Sequence, residues 1–172
     1  MGLVKRFLGN RSLTPEDISL IDFYLDDAGK FLFFQMSKID QQHSISVAKS
    51  ILSKAINSEG VELLPLVKAA LLHDVGKVEG DFNLWSRVFV GFVKRIQPAL
   101  RGKLAFTNPN TFWEKIRYGF YVDLIHPARG AHMAKVFGIE PAVVEMIRRH
   151  HDPPHNGQSL ELTWLQLADS KN

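Results

Sequence analysis

Histidine and aspartate side chains that could bind a cation recur along the sequence, and one pair stands in an unfavourable place. His73 and Asp74 follow an apolar run, VELLPLVKAALL, and precede Gly76 and Lys77. The run is apolar nearly all round, which predicts a buried central helix that ends at Gly76. A carboxylate in the last turn of a helix faces the partial negative charge of that terminus, and burial without a partner is costly. Because Asp74 needs compensation, we expect a cation beside it.

Further candidate ligands stand near the predicted ends of other helices. They are His43, His126, the pair His150–His151 and Asp169. Helix ends from distant parts of a bundle can converge, and bundle cores build metal sites in this way. Imidazole and carboxylate ligands suit iron, manganese, cobalt, nickel or zinc, and the chain has no cysteine to supply a thiolate. The sequence therefore predicts a site of mixed imidazole and carboxylate ligands.

Each of these residues also has an ordinary structural explanation when it is taken alone. Asp74 could cap a neighbouring backbone segment, and Asp169 could be a surface carboxylate near the end of the sequence. His43 could lie in the first turn of a helix, and His126 could be an N-cap. The pair His150–His151 could be favourable charge at a helix C-terminus.

The elements that must position these residues are predicted to be helices, and strand signals are almost absent. Thr14, Pro15 and Asp17 form a helix start of the capping-box type, and Asn110 or Thr111 could cap a later helix. Other helices are expected over residues 30–39, 43–56, 61–75, 84–97, 126–137, 141–151 and 159–170, with Pro127 and Pro141 near the start of theirs and Ser159 as a cap. The fold class is therefore predicted to be all-α.

The bulk properties are those of an ordinary globular protein. A length of 172 residues favours one domain, 1–172. The formal charge of +3 suits anionic substrates and is too weak to indicate binding of a nucleic-acid polymer. The N-terminal residues lack the apolar segment of a secretory signal, and no apolar run approaches the length of a membrane span. We expect a cytoplasmic protein.

Residues 81–125 are rich in aromatic and basic side chains and have two interpretations. The favoured one is additional core with a solvated basic face. The other is a lid over the site, or a surface for anionic phosphates or membrane headgroups, because VFVGFVKRI is amphipathic. This segment would separate the two parts of the site, residues 43–80 and residues 126–170. N-terminal helices are expected in residues 1–42.

The motifs taken together resemble the HD superfamily of metal-dependent phosphohydrolases. Its pattern of a His, a His-Asp pair and a distant Asp is similar to His43 in DQQHSISVA, His73–Asp74 in LLHDVGK and Asp169 in LQLADS. Two further motifs of the HDIG-type subgroup match HPARGA at 126–131 and IRRHH at 147–151. The order and rough spacing of all five agree with the family.

The resemblance implies a single-domain helical bundle of the HD-domain type with two divalent metal ions. One ion would be held by His43, His73, Asp74 and Asp169. The second would be held by His126 and His150, with His151 as a further candidate and Asp74 bridging. Iron or manganese is expected, with cobalt, nickel, zinc or magnesium as alternatives.

The implied activity is hydrolysis of a phosphoester or phosphoanhydride by metal-activated water, with a nucleotide or cyclic dinucleotide as substrate. Asp74 and Lys77 would be catalytic. Lys77 and Arg129, which lies one turn beyond His126, would bind phosphate as positive charges. Two alternatives remain open: a non-catalytic HD-type signalling or binding module, and a mononuclear nucleotidase in which HPARGA and IRRHH only shape the pocket.

Overall fold

The structure is a bundle of helices, as the sequence predicts. The computed structural model describes residues 12–55 and 58–172, with the backbone alone at Ala55. In these ranges the α-helices are α1 Pro15–Tyr24, α2 Asp27–Phe34, α3 Lys38–Ala55, α4 Leu63–Leu72, α5 Leu84–Ile96, α6 Arg101–Leu104, α7 Phe112–Val136, α8 Pro141–Arg149 and α9 Leu160–Lys171, with a 3-10 turn at Pro98–Leu100. No β-strand occurs within them, and the all-α prediction is confirmed.

Several predicted helix starts are correct because their signals are local. The Thr14 side chain accepts from the backbone N–H of Asp17, whose carboxylate accepts in return from the N–H of Thr14. Thr111 caps α7 in the same reciprocal way with Glu114, and the hydroxyl oxygen of Ser159 accepts from the N–H of Leu162 at the start of α9. Pro141 occupies the first turn of α8. These caps satisfy backbone N–H groups that have no partner inside the helix.

The predicted bounds of two helices in the N-terminal half are wrong. The second helix spans Asp27–Phe34 rather than residues 30–39, and α3 begins at Lys38 rather than at His43. The hydroxyl of Ser37 accepts from the N–H of Asp40 and donates to its carboxylate, which fixes the start of α3. His43 consequently lies in the second turn of a long helix. The predicted end of α3 at Ile56 lies outside the described residues.

Pro127 does not begin a helix, contrary to the sequence prediction. It lies in the interior of α7, which runs without a break from Phe112 to Val136. A proline in a helix interior removes one backbone hydrogen bond and is tolerated only where the surroundings compensate. Gly138, with a φ of 76°, follows the helix as expected.

The core surrounds α4, and the prediction of a buried central helix is confirmed. Every residue from Leu66 to Leu72 is buried, and α4 packs against α3, α8 and α9. Lys68 is the polar exception in this run: its ammonium group donates to Asp26 and Glu140 at the protein surface. The helix ends at Leu72, and a turn through Gly76 leads out of the core. This arrangement places His73 and Asp74 at the centre of the bundle.

The expectation of additional core in residues 81–125 is wrong for most of α5. Only Ser86 and Val90 of this helix are buried, and α5 packs on α7. The other large apolar side chains of α5 are exposed: Leu84, Trp85, Val88, Phe89, Phe92 and Ile96. None of the helices in the described ranges is long and apolar enough to cross a membrane.

Candidate metal centre

Five helices bring the predicted ligands together at the middle of the bundle. His43 comes from α3, His126 from α7 and Asp169 from α9, while the turns after α4 and α8 supply the remaining side chains, His73, Asp74, His150 and His151. Their potential ligand atoms fall into groups whose members lie within 4.8 Å of one another. Residues that are separated by more than a hundred positions thus share one site.

Asp74 lies between two groups of imidazoles. Its Oδ1 atom is 3.3 Å from Nε2 of His126 and 3.8 Å from Nε2 of His150. Its Oδ2 atom is 3.6 Å from Nε2 of His73 and 4.0 Å from Nε2 of His43. The two oxygens of one carboxylate therefore face different sets of nitrogen atoms, which is the geometry that a bridging ligand needs.

The first group consists of His43, His73 and Asp169. Oδ1 of Asp169 is 2.9 Å from Nε2 of His43 and 3.7 Å from Nε2 of His73. The second group consists of His126, His150 and His151.

Backbone carbonyl groups orient three of the imidazoles. The Nδ1–H groups of His73, His126 and His150 donate to the carbonyl oxygens three residues earlier, at 2.9, 2.9 and 2.7 Å. For His73 and His150 the acceptor lies in the last turn of a helix, where carbonyl groups lack helical partners. For His126 the acceptor is Asp123, whose carbonyl is free because Pro127 has no N–H. Donation at Nδ1 leaves Nε2 as an acceptor that points into the site.

Two of these Nε2 acceptors, those of His126 and His150, face each other directly. Nε2 of His126 lies 3.2 Å from Nε2 of His150. Among the described side chains, the buried atoms Nε2 of His73 and Oδ1 of Asp74 make no hydrogen bond. Juxtaposed lone pairs in a buried site are unfavourable unless a cation lies among them. The donor set of imidazole nitrogen and carboxylate oxygen fits divalent transition metals.

Burial and neighbouring charge set the protonation of these ligands. Burial lowers the pKa of His150 well below its usual value, and the neighbouring His73 and His126 act in the same direction. Burial also lowers the pKa of His126 and of His151. Burial opposes the charge of Asp74, but Lys77 and His73 outweigh it and hold its pKa well below the usual range. At neutral pH His126, His150 and His151 are thus neutral beside an ionised Asp74. His73 differs: burial lowers its pKa, but Asp74 and Asp169 outweigh burial and raise it.

Cationic side chains surround the ligands. The ammonium group of Lys77 lies 2.8 Å from Oδ2 of Asp74. Lys94, from α5, is 3.4 Å from Nε2 of His151 and 3.9 Å from Asp123, which also binds Arg101 at 2.8 Å. The sequence prediction did not include Lys94 or Arg101, because their position depends on how α5 and α6 fold over the site.

Two cavities open beside the ligand groups. One, of about 160 Å³, is lined by His43, Lys77, Arg87 and Lys94, among others. The other, of about 400 Å³, is lined by residues that include Lys94, Arg101, Arg148, His151 and Asp152. Lys94 and Asp123 line both cavities. An anion that enters either cavity meets positive charge next to the imidazoles.

Arg129 lies apart from this arrangement. Its guanidinium group binds Asp81 at 2.7 Å, and it is not among the residues that line the two cavities. His132 is exposed on α7, and His155 contacts Arg149. The structure therefore brings together every predicted metal ligand and Lys77, but it does not bring Arg129 to them.

Comparison with known proteins agrees with this arrangement. Residues 41–171 match the family model described as HD domain. No curated protein and no solved structure matched the chain in the corresponding comparisons. The match begins just before His43, ends just after Asp169, and covers most of the chain. The chain therefore belongs to the HD domain family, whose members are in general metal-dependent phosphohydrolases that bind divalent ions.

Proposed function

We propose that this protein hydrolyses a phosphoester or phosphoanhydride bond of a nucleotide or cyclic dinucleotide, with two divalent metal ions. His43, His73 and Asp169 would hold one ion, and His126, His150 and His151 the other. Asp74 would bridge them. We expect iron or manganese, with cobalt, nickel, zinc or magnesium as alternatives, since the ligands combine imidazole with carboxylate and include no thiolate.

One observation carries this proposal: the acceptor atoms of the site face one another in two groups on either side of Asp74. The 3.2 Å approach of two imidazole Nε2 atoms is one such contact, and Oδ1 of Asp74 faces the same pair. A third set of potential ligands, His73, Asp74 and His150, connects the two groups, and one ion there would leave His43 and His126 outside its set. Two cations satisfy both groups.

Bound divalent ions would supply a water molecule of lowered pKa and positive charge against the non-bridging oxygens of the phosphate. The protein contributes the remaining groups. Asp74 stays ionised at neutral pH because Lys77 and His73 outweigh the effect of burial. Lys77 and Lys94 lie close enough to the ligands to bind phosphate oxygens, and they line the smaller cavity.

The larger cavity supports a substrate with more than one phosphate or with further anionic groups. Arg101 and Arg148 line it together with Lys94, so its positive charge extends away from the metal ligands. A guanidinium group binds phosphate through two parallel hydrogen bonds. Nucleotides and cyclic dinucleotides offer such spaced charges, which is why we place them ahead of simple phosphomonoesters.

Elemental analysis of protein purified without chelator and without oxygen tests the proposal. The wild type is compared with His126→Ala and with His132→Ala, a matched control on the same helix whose side chain is exposed. We expect about two transition-metal ions per chain in the wild type and the control, and about one in His126→Ala. Release of phosphate or nucleotide is then measured on a set of phosphodiesters, nucleotides and cyclic dinucleotides.

Other outcomes would contradict specific parts of the proposal. One ion in both the wild type and His126→Ala would favour a mononuclear nucleotidase. No metal after reconstitution with iron or manganese would favour a non-catalytic binding module. A full metal complement without hydrolysis of any phosphorylated compound would retain the metal centre and contradict the assigned substrates.

A further inference from the structure

Helix α5 presents three different faces. Ser86 and Val90 are buried where the helix packs on α7. Arg87, Gly91 and Lys94 line the smaller cavity beside the metal ligands. Arg87 also makes a two-pronged contact with Asp40 of α3, at 2.8 and 2.6 Å. Two faces of α5 are therefore fixed by the rest of the protein.

The third face is apolar and exposed. Trp85, Phe89, Phe92 and Ile96 have exposed fractions of 57, 43, 60 and 63%. Their spacing of four, three and four residues places them on one side of the helix. With about 100° between successive residues, this side is roughly opposite the side that carries Arg87, Gly91 and Lys94. We call these four residues the α5 apolar face. Leu84 and Val88, also exposed, flank it.

Basic residues are concentrated in the same part of the chain. Residues 82–122 contain seven Lys and Arg residues and a single acidic residue, Glu114, whereas the whole chain has 21 basic and 18 acidic residues. Apart from Lys94, which lines the smaller cavity, the exposed basic side chains here are Arg95, Lys103, Lys115 and Arg117. Glu114 already accepts from the backbone N–H groups of Asn110 and Thr111. The exposed apolar face thus lies in a strongly cationic segment.

We infer that the α5 apolar face binds an anionic membrane surface. A helix with aromatic residues on one side and basic residues around it lies in the plane of the interface, where apolar burial and attraction to anionic lipid act together. At 13 residues, α5 is too short to span a bilayer and long enough to lie on one. This inference goes beyond the proposed function and does not depend on it.

Charge argues against a second copy of the chain as the occupant. In a symmetric dimer the same patch meets itself, so the basic segment of one protomer would face that of the other. Asp40 and Asp123 pair with Arg87, Arg101 and Lys94, but Arg95, Lys103, Lys115 and Arg117 form no ion pair with an acidic side chain among the described residues, and like charges brought together at an interface repel. Anionic lipid headgroups provide the complementary charge.

The orientation of α5 leaves its cavity-lining side accessible when the apolar face is bound to a membrane. Because the apolar face and the cavity-lining side are on roughly opposite sides of the helix, a membrane in contact with Phe92 does not cover Lys94. A protein bound in this way would keep its cationic cavity open.

Sedimentation with lipid vesicles tests the inference on the full chain. Vesicles of phosphatidylcholine with about one third phosphatidylglycerol are compared with pure phosphatidylcholine. The variant Trp85→Ser/Phe89→Ser/Phe92→Ser removes the aromatic part of the face. The matched control, Phe23→Ser/Phe34→Ser/Leu64→Ser, removes three exposed apolar side chains from other helices. Circular dichroism verifies that both variants are folded.

We expect the wild type to bind the anionic vesicles, and the aromatic variant to lower the partition coefficient by about tenfold or more. The control should stay within about twofold of the wild type. A second variant, Arg95→Glu/Lys103→Glu, should weaken binding on the order of tenfold, whereas Lys54→Glu on α3 should not. This pair tests the inference without a change in the aromatic residues.

Three results would overturn the inference. The first is the absence of binding to anionic vesicles. The second is equal binding of the wild type and the aromatic variant. The third is a wild-type dimer in sedimentation velocity that the aromatic variant dissociates, without vesicle binding, which would assign the face to self-association.

Discussion

The Nδ1–H group of His126 donates to the carbonyl oxygen of Asp123 at 2.9 Å, in the position where a regular helix would place a backbone N–H. Pro127 supplies no such group, so the carbonyl is available to the imidazole. The sequence His126–Pro127 therefore fixes the imidazole ring. Pro127 removes the competing backbone donor, and His126 is held with its Nε2 atom directed at Asp74.

Replacement of Pro127 should separate stability from metal binding. In Pro127→Ala the new N–H can bond to the Asp123 carbonyl, so we expect equal or higher thermal stability, because an interior proline costs about 3 kcal/mol in a helix. His126 loses its orienting partner, and affinity for one metal ion should fall about tenfold or more. Thermal unfolding and metal titration measure the two effects. Pro141→Ala, in the first turn of α8, is the control and should leave metal affinity unchanged.

Gly76 is expected to tolerate no side chain. A Cβ atom there would overlap the carbonyl oxygen of His126 and lie 2.8 Å from the backbone nitrogen of Gly130. Gly76→Ala must push the turn after α4 away from α7, and we expect a loss of about 3 kcal/mol or more in the free energy of unfolding. Denaturant unfolding measures it. Gly102→Ala, where the added Cβ meets open space, should change stability by less than about 1 kcal/mol; a similar loss in both variants would contradict the steric argument.

Lys77 and Asp74 should have separable roles. We expect Asp74→Ala to abolish metal binding and hydrolysis together, because the carboxylate faces both imidazole groups. Lys77→Ala should leave the metal content intact and lower kcat on the order of 100-fold, as expected for the loss of one charged group that stabilises the transition state. Elemental analysis measures the metal content of each variant, and phosphate release measures its rate of hydrolysis. Metal loss in Lys77→Ala, or activity in Asp74→Ala, would show that these roles are misassigned; Lys135→Ala, exposed on α7, serves as the control.

The two metal ions should differ in their response to pH. Burial opposes the charge of His73, but Asp74 and Asp169 outweigh it and raise its pKa above 6.5. Burial lowers the pKa of His126 and His150 below 6.5. Binding at the first group must therefore displace a proton from His73 near neutral pH, and its affinity should fall as the pH drops through the raised pKa of His73. Binding at the second group should stay constant until more acidic pH.

Calorimetric metal titrations in buffers with different heats of ionisation measure this difference. His126→Ala reports the first group alone, and His43→Ala reports the second. Proton release on metal binding to His126→Ala at about pH 6.5, and its absence in His43→Ala, is the expected pattern. The reverse pattern would contradict the assigned protonation states.

Local signals predicted the fold well wherever a cap was formed by neighbouring residues. The helix starts at Thr14 and Ser159 were predicted correctly for this reason. The predicted start of α3 at His43 is wrong, since the cap is Ser37, six residues earlier, where Ser37 and Asp40 carry a comparable local signal. Pro127 was misplaced because the rule that proline begins helices is local, whereas its position inside α7 depends on a side chain that uses the freed carbonyl.

The candidate ligands were predicted from their order along the sequence, and the structure brings all of them to one place. Their contacts were not predictable in detail, since a sequence does not show that Nε2 of His126 meets Nε2 of His150. Lys94 and Arg101 were missed for a related reason: no motif marks them, and they reach the site through the packing of α5 and α6 on α7. Arg129 was chosen by helical spacing from His126, and Asp81 holds it elsewhere.

Asp123 contacts the candidate metal centre through two independent groups, its backbone carbonyl and its side-chain carboxylate. Its carbonyl oxygen orients His126, and its carboxylate binds Lys94 and Arg101, which line the larger cavity. A main-chain acceptor is present whatever the side chain is, so substitution of Asp123 can release and redirect the two cations while the imidazole keeps its partner. A substitution of Asp123 can therefore change which anions the larger cavity binds without removing the backbone acceptor that orients His126.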